Sequence, residues 1–362
     1  MNWFNFSLPD FSVSFLSILF EGMPFMFIGT LLSGIIDAFV PSERMERLLP
    51  RNTAAAIGLS AVLGTIFPMC ECGVVPVIRR MIRKGLPVSS AITYLLAAPI
   101  INPIVAASTF AAFRGQHPAW VMSLRLGMAF VVAFVVGLIV HRIPVMRMLN
   151  DKMIASLPVR QRQQFTVAPA PEPGFGLAAA HPTAAKIAFP VVSPERISQE
   201  HQHLHETGNA SPARTSSPAR IFGGKIVGAI RCAAFDFLDV GFYLVIGAAI
   251  TSLFNTAVSH EVILPLASHT ILAVPAMILL SLMLSLCSTS DAFIAANFVS
   301  FPLVSKLAFM VFGPMMDLKL LFMYGLVFRK RFTFAVAGGL FILIALICFA
   351  LSAFKTQTGL AL

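Results

Sequence analysis

Six stretches of this chain are each long and apolar enough to cross a lipid bilayer, and that requirement limits the fold before any other. A helix needs about 20 apolar residues to span ~30 Å of hydrocarbon at ~1.5 Å per residue. Phe11–Val40, Val88–Phe113, Ala119–Val140, Phe235–Val258, Leu303–Phe328 and Phe332–Phe354 meet that length outright. Asn52–Ile78 and Ile271–Ser300 are apolar too, but Pro, Gly and polar clusters interrupt them. Of the 362 residues, 57% are apolar and 12% charged, where a soluble domain carries about 25% charged. The chain therefore reads as an all-α polytopic membrane protein whose constant partner is the lipid bilayer. The net charge of +10 is assigned to basic loops at an anionic leaflet, and not to nucleic acid. No Lys or Arg precedes the first span, so it reads as retained and not as a cleaved signal. Five cysteines in so apolar a chain are not a disulfide scaffold.

Between the fourth and fifth stretches the composition changes. Arg142 to Lys225 holds ten Pro and ten Lys or Arg, too polar and too broken to form a packed core, and reads as a disordered cytoplasmic linker. This divides the chain into a membrane half at 1–141, the linker at 142–225 and a second membrane half at 226–362. His201, His203 and His205 fall in the linker and read as a solvated tract.

The halves echo each other. With Gly29 set on Gly247, Glu21 falls on Asp239 and Asp37 on Asn255; Cys70 precedes Cys287 by 217 positions. Pro87 and Pro302, Pro99 and Pro314, and Asn102 and Asp317 pair at a spacing of 215. An internal duplication is expected. Two topologies follow. If all eight apolar segments cross, the copies are parallel and the short-loop basic residues divide 5 to 7 between the two sides. If the two interrupted segments are re-entrant hairpins, six full spans remain and the copies are inverted. Arg44, Arg47, Arg51, Arg79, Arg80, Arg83, Lys84, Arg329, Lys330 and Arg331 then share the inner side, against Arg114 and Lys355 outside. The positive-inside rule favours the inverted arrangement, which many transporters use.

Three motifs carry the candidate chemistry. In FPMCECGVVP, Phe67 to Pro76, two prolines and Gly73 make irregular backbone, tolerated at membrane depth only inside protein or beside a cavity. Cys70 and Cys72 have the C-x-C spacing that suits two thiolates on one soft centre, with Glu71 between them. In LSLCSTSDAFIAANF, Leu284 to Phe298, Cys287, Ser288, Thr289, Ser290 and Asp291 form a polar island. An ionised Asp291 there needs a partner, a proton or water. In LLAAPIINP and MVFGPMMD a mid-span Pro is followed three residues later by Asn102 or Asp317, the pattern of a broken helix or of a plain kink. Asp37, Asp236, Lys306 and Arg125 are expected to snorkel to span ends, Cys232 and Cys348 to act as small apolar side chains, and Asp317 with Lys319 to lie deeper. No phosphate-binding loop, Ser/His/Asp arrangement or H-E-x-x-H is present, so neither enzyme nor cofactor is implied.

At Pro68, Cys70, Cys72, Gly73 and Pro76, at Ala97–Pro103 and at Cys287–Asp291 the sequence resembles the bacterial predicted-permease family typified by YraQ. That family includes the ArsP exporters of trivalent organoarsenicals. The resemblance covers both membrane halves but not the linker, and implies a multi-pass inner-membrane permease. The expected activity is secondary transport, as efflux, of a small thiophilic solute such as a trivalent organoarsenical or soft-metal compound. Cys70, Cys72 and Cys287 are the soft, metal-type ligands, Asn102, Ser288 and Ser290 further solute contacts, and Glu71, Asp291 and Asp317 the proton-exchanging groups. The alternative is a membrane thiol–disulfide or electron-transfer protein using the same cysteines.

Overall fold

Pro99 and Pro314 stand at breaks in the apolar stretches, whereas Pro24, Pro76 and Pro275 lie inside helices. The computed structural model describes residues 7–39, 50, 52–66, 69–157, 218–257 and 270–358. Its first half contains α1 (Leu8–Phe39), α2 (Thr53–Ile66), α3 (Glu71–Arg83), α4 (Val88–Ala97), α5 (Pro103–Ala112) and α6 (Pro118–His141). Two short helices follow, α7 (Val145–Met148) and α8 (Asp151–Ala155). The second half contains α9 (Pro218–Ala257), α10 (Thr270–Leu284), α11 (Asp291–Asn297), α12 (Leu303–Met315), α13 (Leu318–Tyr324) and α14 (Lys330–Thr358). Among the described residues no strand forms, only a single bridge between Leu149 and Phe328.

Five helical stretches are long and apolar enough to cross a membrane: Leu8–Asp37, Pro118–His141, Val227–Thr256, Leu303–Tyr324 and Lys330–Ala353. Apolar side chains such as Phe20, Leu238, Phe242 and Ile342 stand exposed on them, as lipid-facing side chains must. This is an all-α, multi-pass membrane protein. Val88–Phe113 and Leu303–Phe328 are each interrupted part-way along. Pro99 cannot donate to the helix ladder, and α4 ends at Ala97. The chain restarts at Pro103, which fits the first helical turn, with Asn102 as its cap. Likewise α12 ends just past Pro314, and Asp317 caps α13.

The same packing recurs in both halves. In the first, α2 packs on α4 and α6, α4 on α6, and α5 on α6. In the second, α10 packs on α12 and α14, α12 on α14, and α13 on α14. Between halves the partners are exchanged: α3 packs against α13, and α11 against α5.

Point contacts give the directions. Gly29 of α1 abuts Gly73 of α3, where an added Cβ would meet the Gly73 Cα at 2.6 Å; Ser33 Oγ donates to the Pro76 carbonyl; and Asp37 pairs with Arg80 and Lys84. So α3 runs alongside α1 in the same direction. Ile57 of α2 and Thr93 of α4 both press on Gly137 of α6, and Gly64 on Ala98, so α2 runs with α4. Because α3 ends where α4 begins, α2 and α3 open toward the same end of the bundle. They form a hairpin whose tip is the cysteine motif; Phe67 and Pro68 of that motif lie outside the described residues. In the second half Ser281 Oγ donates to the Phe309 carbonyl, and Ser285 past α10 meets Leu318 past α12, so α10 runs with α12.

Residues 142–157, expected within a disordered linker, are folded. Met148, Leu149, Met153 and Leu157 are buried. Asn150 donates to the carbonyls of Val327 and Gly325, Arg329 Nε donates to the Leu149 carbonyl, and Arg83 Nε donates to Ser156 Oγ. The segment supplies the apolar side chains and backbone partners that a disordered tract lacks. It ties the end of α3 to the turn between α13 and α14. The helix α9 also begins before the expected linker boundary, at Pro218. The three linker histidines lie outside the described residues, as do Arg44, Arg47 and Arg51.

Cysteines introduced at Arg79, Arg147 and Lys330 should therefore be labelled by an impermeant thiol reagent from one side of the membrane. One at Arg114, before α6, should be labelled from the other. Labelling of the Arg79 position from the Arg114 side would overturn the hairpin.

Candidate functional site

The tip of the first hairpin places Cys70 as the N-cap of α3, in extended conformation, with Glu71 in the first helical turn, where the macrodipole favours a carboxylate. Cys70 and Cys72 are both buried. Gly22 of α1 makes room for them: a Cβ there would lie 3.6 Å from Cys72 Sγ and 3.4 Å from Leu244.

The tip of the second hairpin carries Ser285 at φ 47°, a left-handed conformation uncommon outside glycine and one that recurs at functional sites. This exposes both polar groups of Ser285 to the break between α12 and α13. Its hydroxyl oxygen accepts from Leu318 N–H at 3.2 Å, and its carbonyl accepts from Lys319 Nζ at 3.0 Å. The same ammonium donates to Glu71 Oε1 at 3.1 Å and lies 3.3 Å from Asp317 Oδ2. Asp317 Oδ1 accepts from Leu320 N–H at 2.7 Å as the cap of α13. Glu71 Oε2 and Asp317 Oδ2 are buried and accept no hydrogen bond. Two buried carboxylates thus share one ammonium.

A second buried ion pair crosses the halves. Arg125 of α6 is wholly buried and donates from Nη2 to both oxygens of Asp291, at 2.9 and 2.8 Å, and to the carbonyls of Ser288 and Met310. Its Nη1 donates to Thr109 of α5 at 2.8 Å. Arg125 therefore does not snorkel; it neutralises the one acid of the polar island. Asp236 does not snorkel either. It is buried, accepting from Arg80 at 2.7 Å and from Ser33. Cys232, expected to be a mere apolar filler, accepts from Arg80 Nη2 at 2.7 Å.

The expected site residues thus divide. Glu71 and Asp317 meet at Lys319, with Cys70 and Cys72 adjoining. Cys287 is buried beside them, within the electrostatic reach of Glu71 and Lys319. Asp291 and Ser288 belong to the Arg125 cluster. Asn102 Oδ1 is spent on the cap of α5, accepting from Ile104 N–H at 2.9 Å. Ser290 Oγ donates to the Cys287 carbonyl at 3.1 Å. Among the described residues no group of three or more His, Cys, Asp or Glu side chains is placed to hold a metal ion, so Cys70, Cys72 and Cys287 are not a preassembled metal centre. Lys319 and Arg125 are the residues that reading the sequence undervalued. Each was detectable as an in-span cation complementary to an in-span acid on the other half.

Broken helices meeting at buried charges, within an all-α multi-pass protein, define the class as membrane transport proteins. The chain belongs to the predicted permease family (ArsP_1), whose sequence model matches residues 8–353. It is 34% identical to the UPF0718 protein YcgR of Bacillus subtilis strain 168 over 321 residues, 88% of this chain and 89% of that one. It is 29% identical to a putative two-component membrane permease complex subunit of Streptococcus mutans serotype c over 338 residues, 92% of each. No solved structure matches the chain.

Removing one member of a buried ion pair leaves the other uncompensated and costs about 3–5 kcal/mol. Arg125→Ala should therefore lower the thermal unfolding midpoint of the detergent-purified protein far more than the paired change Arg125→Met with Asp291→Leu. Equal losses would show that the pair contributes no such coupling.

Proposed function

We propose that this permease exports a small thiophilic solute, of the class of trivalent organoarsenicals or soft-metal compounds. The observation that carries the reading is the pair of buried cysteines, Cys70 and Cys72, at the start of α3, flanking the Glu71 that joins Lys319 and Asp317. Sulfur ligands select soft centres, and a hairpin tip packed against a broken helix is where transporters hold solutes. Cys287, Ser288, Ser290 and Asn102 complete the path from the other breaks. Efflux is the direction assigned, because a compound that captures thiols harms the cytoplasm it leaves.

Charge balance assigns the exchangeable proton. Ionised Glu71 and Asp317 against one Lys319 leave an uncompensated negative charge, whereas Asp291 is balanced by Arg125. Glu71 and Asp317 therefore exchange the proton, and Asp291 positions the second hairpin. We also read the halves as inverted copies. In support, α4 starts, and α12 with α13 finishes, at the end of the bundle where residues 142–157 dock. By the positive-inside rule that end faces the cytoplasm, with the linker on the same side of a bacterial cell membrane, the inner one where there are two.

In everted vesicles, wild-type protein should accumulate methylarsenite with an acid-inside gradient. Cys72→Ser should reduce this at least about tenfold, the loss of ~1.4 kcal/mol of binding, with membrane protein levels unchanged. Asp317→Asn should abolish the dependence on the gradient. Wild-type uptake by Cys72→Ser would remove the thiol-based reading. A Cys70–Cys72 disulfide cycling with a partner thiol would favour electron transfer instead.

A further inference from the structure

At the end of the bundle where residues 142–157 dock lies a cavity of about 700 Å³, remote from the thiols and their ion pair. It is lined by Arg147 of the docked segment, by Asn150 and Asp151, and by Arg329, Lys330 and Arg331 at the start of α14. Four cations thus face one acid. That acid, Asp151, is taken by Arg329, whose Nε is also held by the Leu149 carbonyl at 3.1 Å. Among the described residues no carboxylate pairs with Arg147, Lys330 or Arg331, and the last two sit in the first turn of a 29-residue helix, the end at which the macrodipole disfavours cations and favours an anion.

Exposed apolar side chains neighbour the cavity in sequence, and Phe328 lines it. Beside Arg147, Met146 is 40% exposed, and one turn beyond Lys330, Phe334 is 64% exposed at the start of the lipid-facing surface of α14. A free phosphate would use the cations but not this apolar border. A phospholipid uses both, with its phosphate among the guanidinium groups and its chains along α14. We infer that this cavity is a binding site for an anionic phospholipid headgroup, and that the lipid joins the docked segment to the second half of the permease. Basic pockets at the cytoplasmic ends of membrane helices bind such headgroups, at about 1 kcal/mol per Lys or Arg.

The full-length protein in detergent, titrated with phosphatidylglycerol and read by native mass spectrometry, tests this. Wild type should retain phosphatidylglycerol in preference to phosphatidylcholine, and millimolar inorganic phosphate should not displace it. The paired substitution Arg147→Gln with Arg331→Gln should weaken retention about fivefold per charge removed. Arg114→Gln, at the opposite end, should leave it unchanged. Equal retention of the two lipids would overturn the site, as would displacement by phosphate, which would make it a site for free anions. If the double variant does not fold, the two wild-type comparisons decide the matter unaided.

Discussion

Lys319 reaches from the second half of the chain to Glu71 in the first, and much of the architecture serves to make that contact tolerable. A buried ammonium needs acceptors on several sides, because desolvation costs several kcal/mol unless hydrogen bonds replace water. Glu71, Asp317 and the Ser285 carbonyl supply them, and each stands at a chain break. The first hairpin delivers Glu71, the second delivers Ser285, and the gap between α12 and α13 delivers Asp317 with the lysine itself. Irregular backbone at this depth survives only where protein satisfies it. The breaks and the charges therefore satisfy one another.

The two halves are joined by exchange. The first hairpin packs on the broken helix of the second half and the second hairpin on that of the first, with Glu71–Lys319 and Arg125–Asp291 as the respective ion pairs. Neither half contains a complete site. Both ion pairs therefore hold the two halves together across one interface.

Much of the fold was legible because lipid imposes length and composition on every span. Pro99, Pro314 and the two cysteine motifs marked the four breaks, and Asn102 and Asp317 marked the caps of the helices that follow two of them. What stayed hidden was partnership. Arg125 lies six residues inside its span, where a long side chain ordinarily reaches water, and nothing local in the sequence distinguishes that from a partner 166 positions away. The docked residues 142–157 were concealed for a similar reason. Their apolar side chains were averaged into a long tract rich in Pro, Lys and Arg, and their hydrogen bonds go to residues 325–329, which composition does not reveal.

The cross-half pairs also carry a cost in time. Arg125 precedes Asp291 by 166 residues, and Glu71 precedes Lys319 by 248. At ~5–20 residues per second of synthesis, the first half waits on the order of ten seconds to a minute with both charges unmatched. During biosynthesis, then, residues 1–141 are an unfinished membrane domain with two ionisable groups in its interior. Their shelter until the partner helices emerge falls to water, protonation or the insertion machinery.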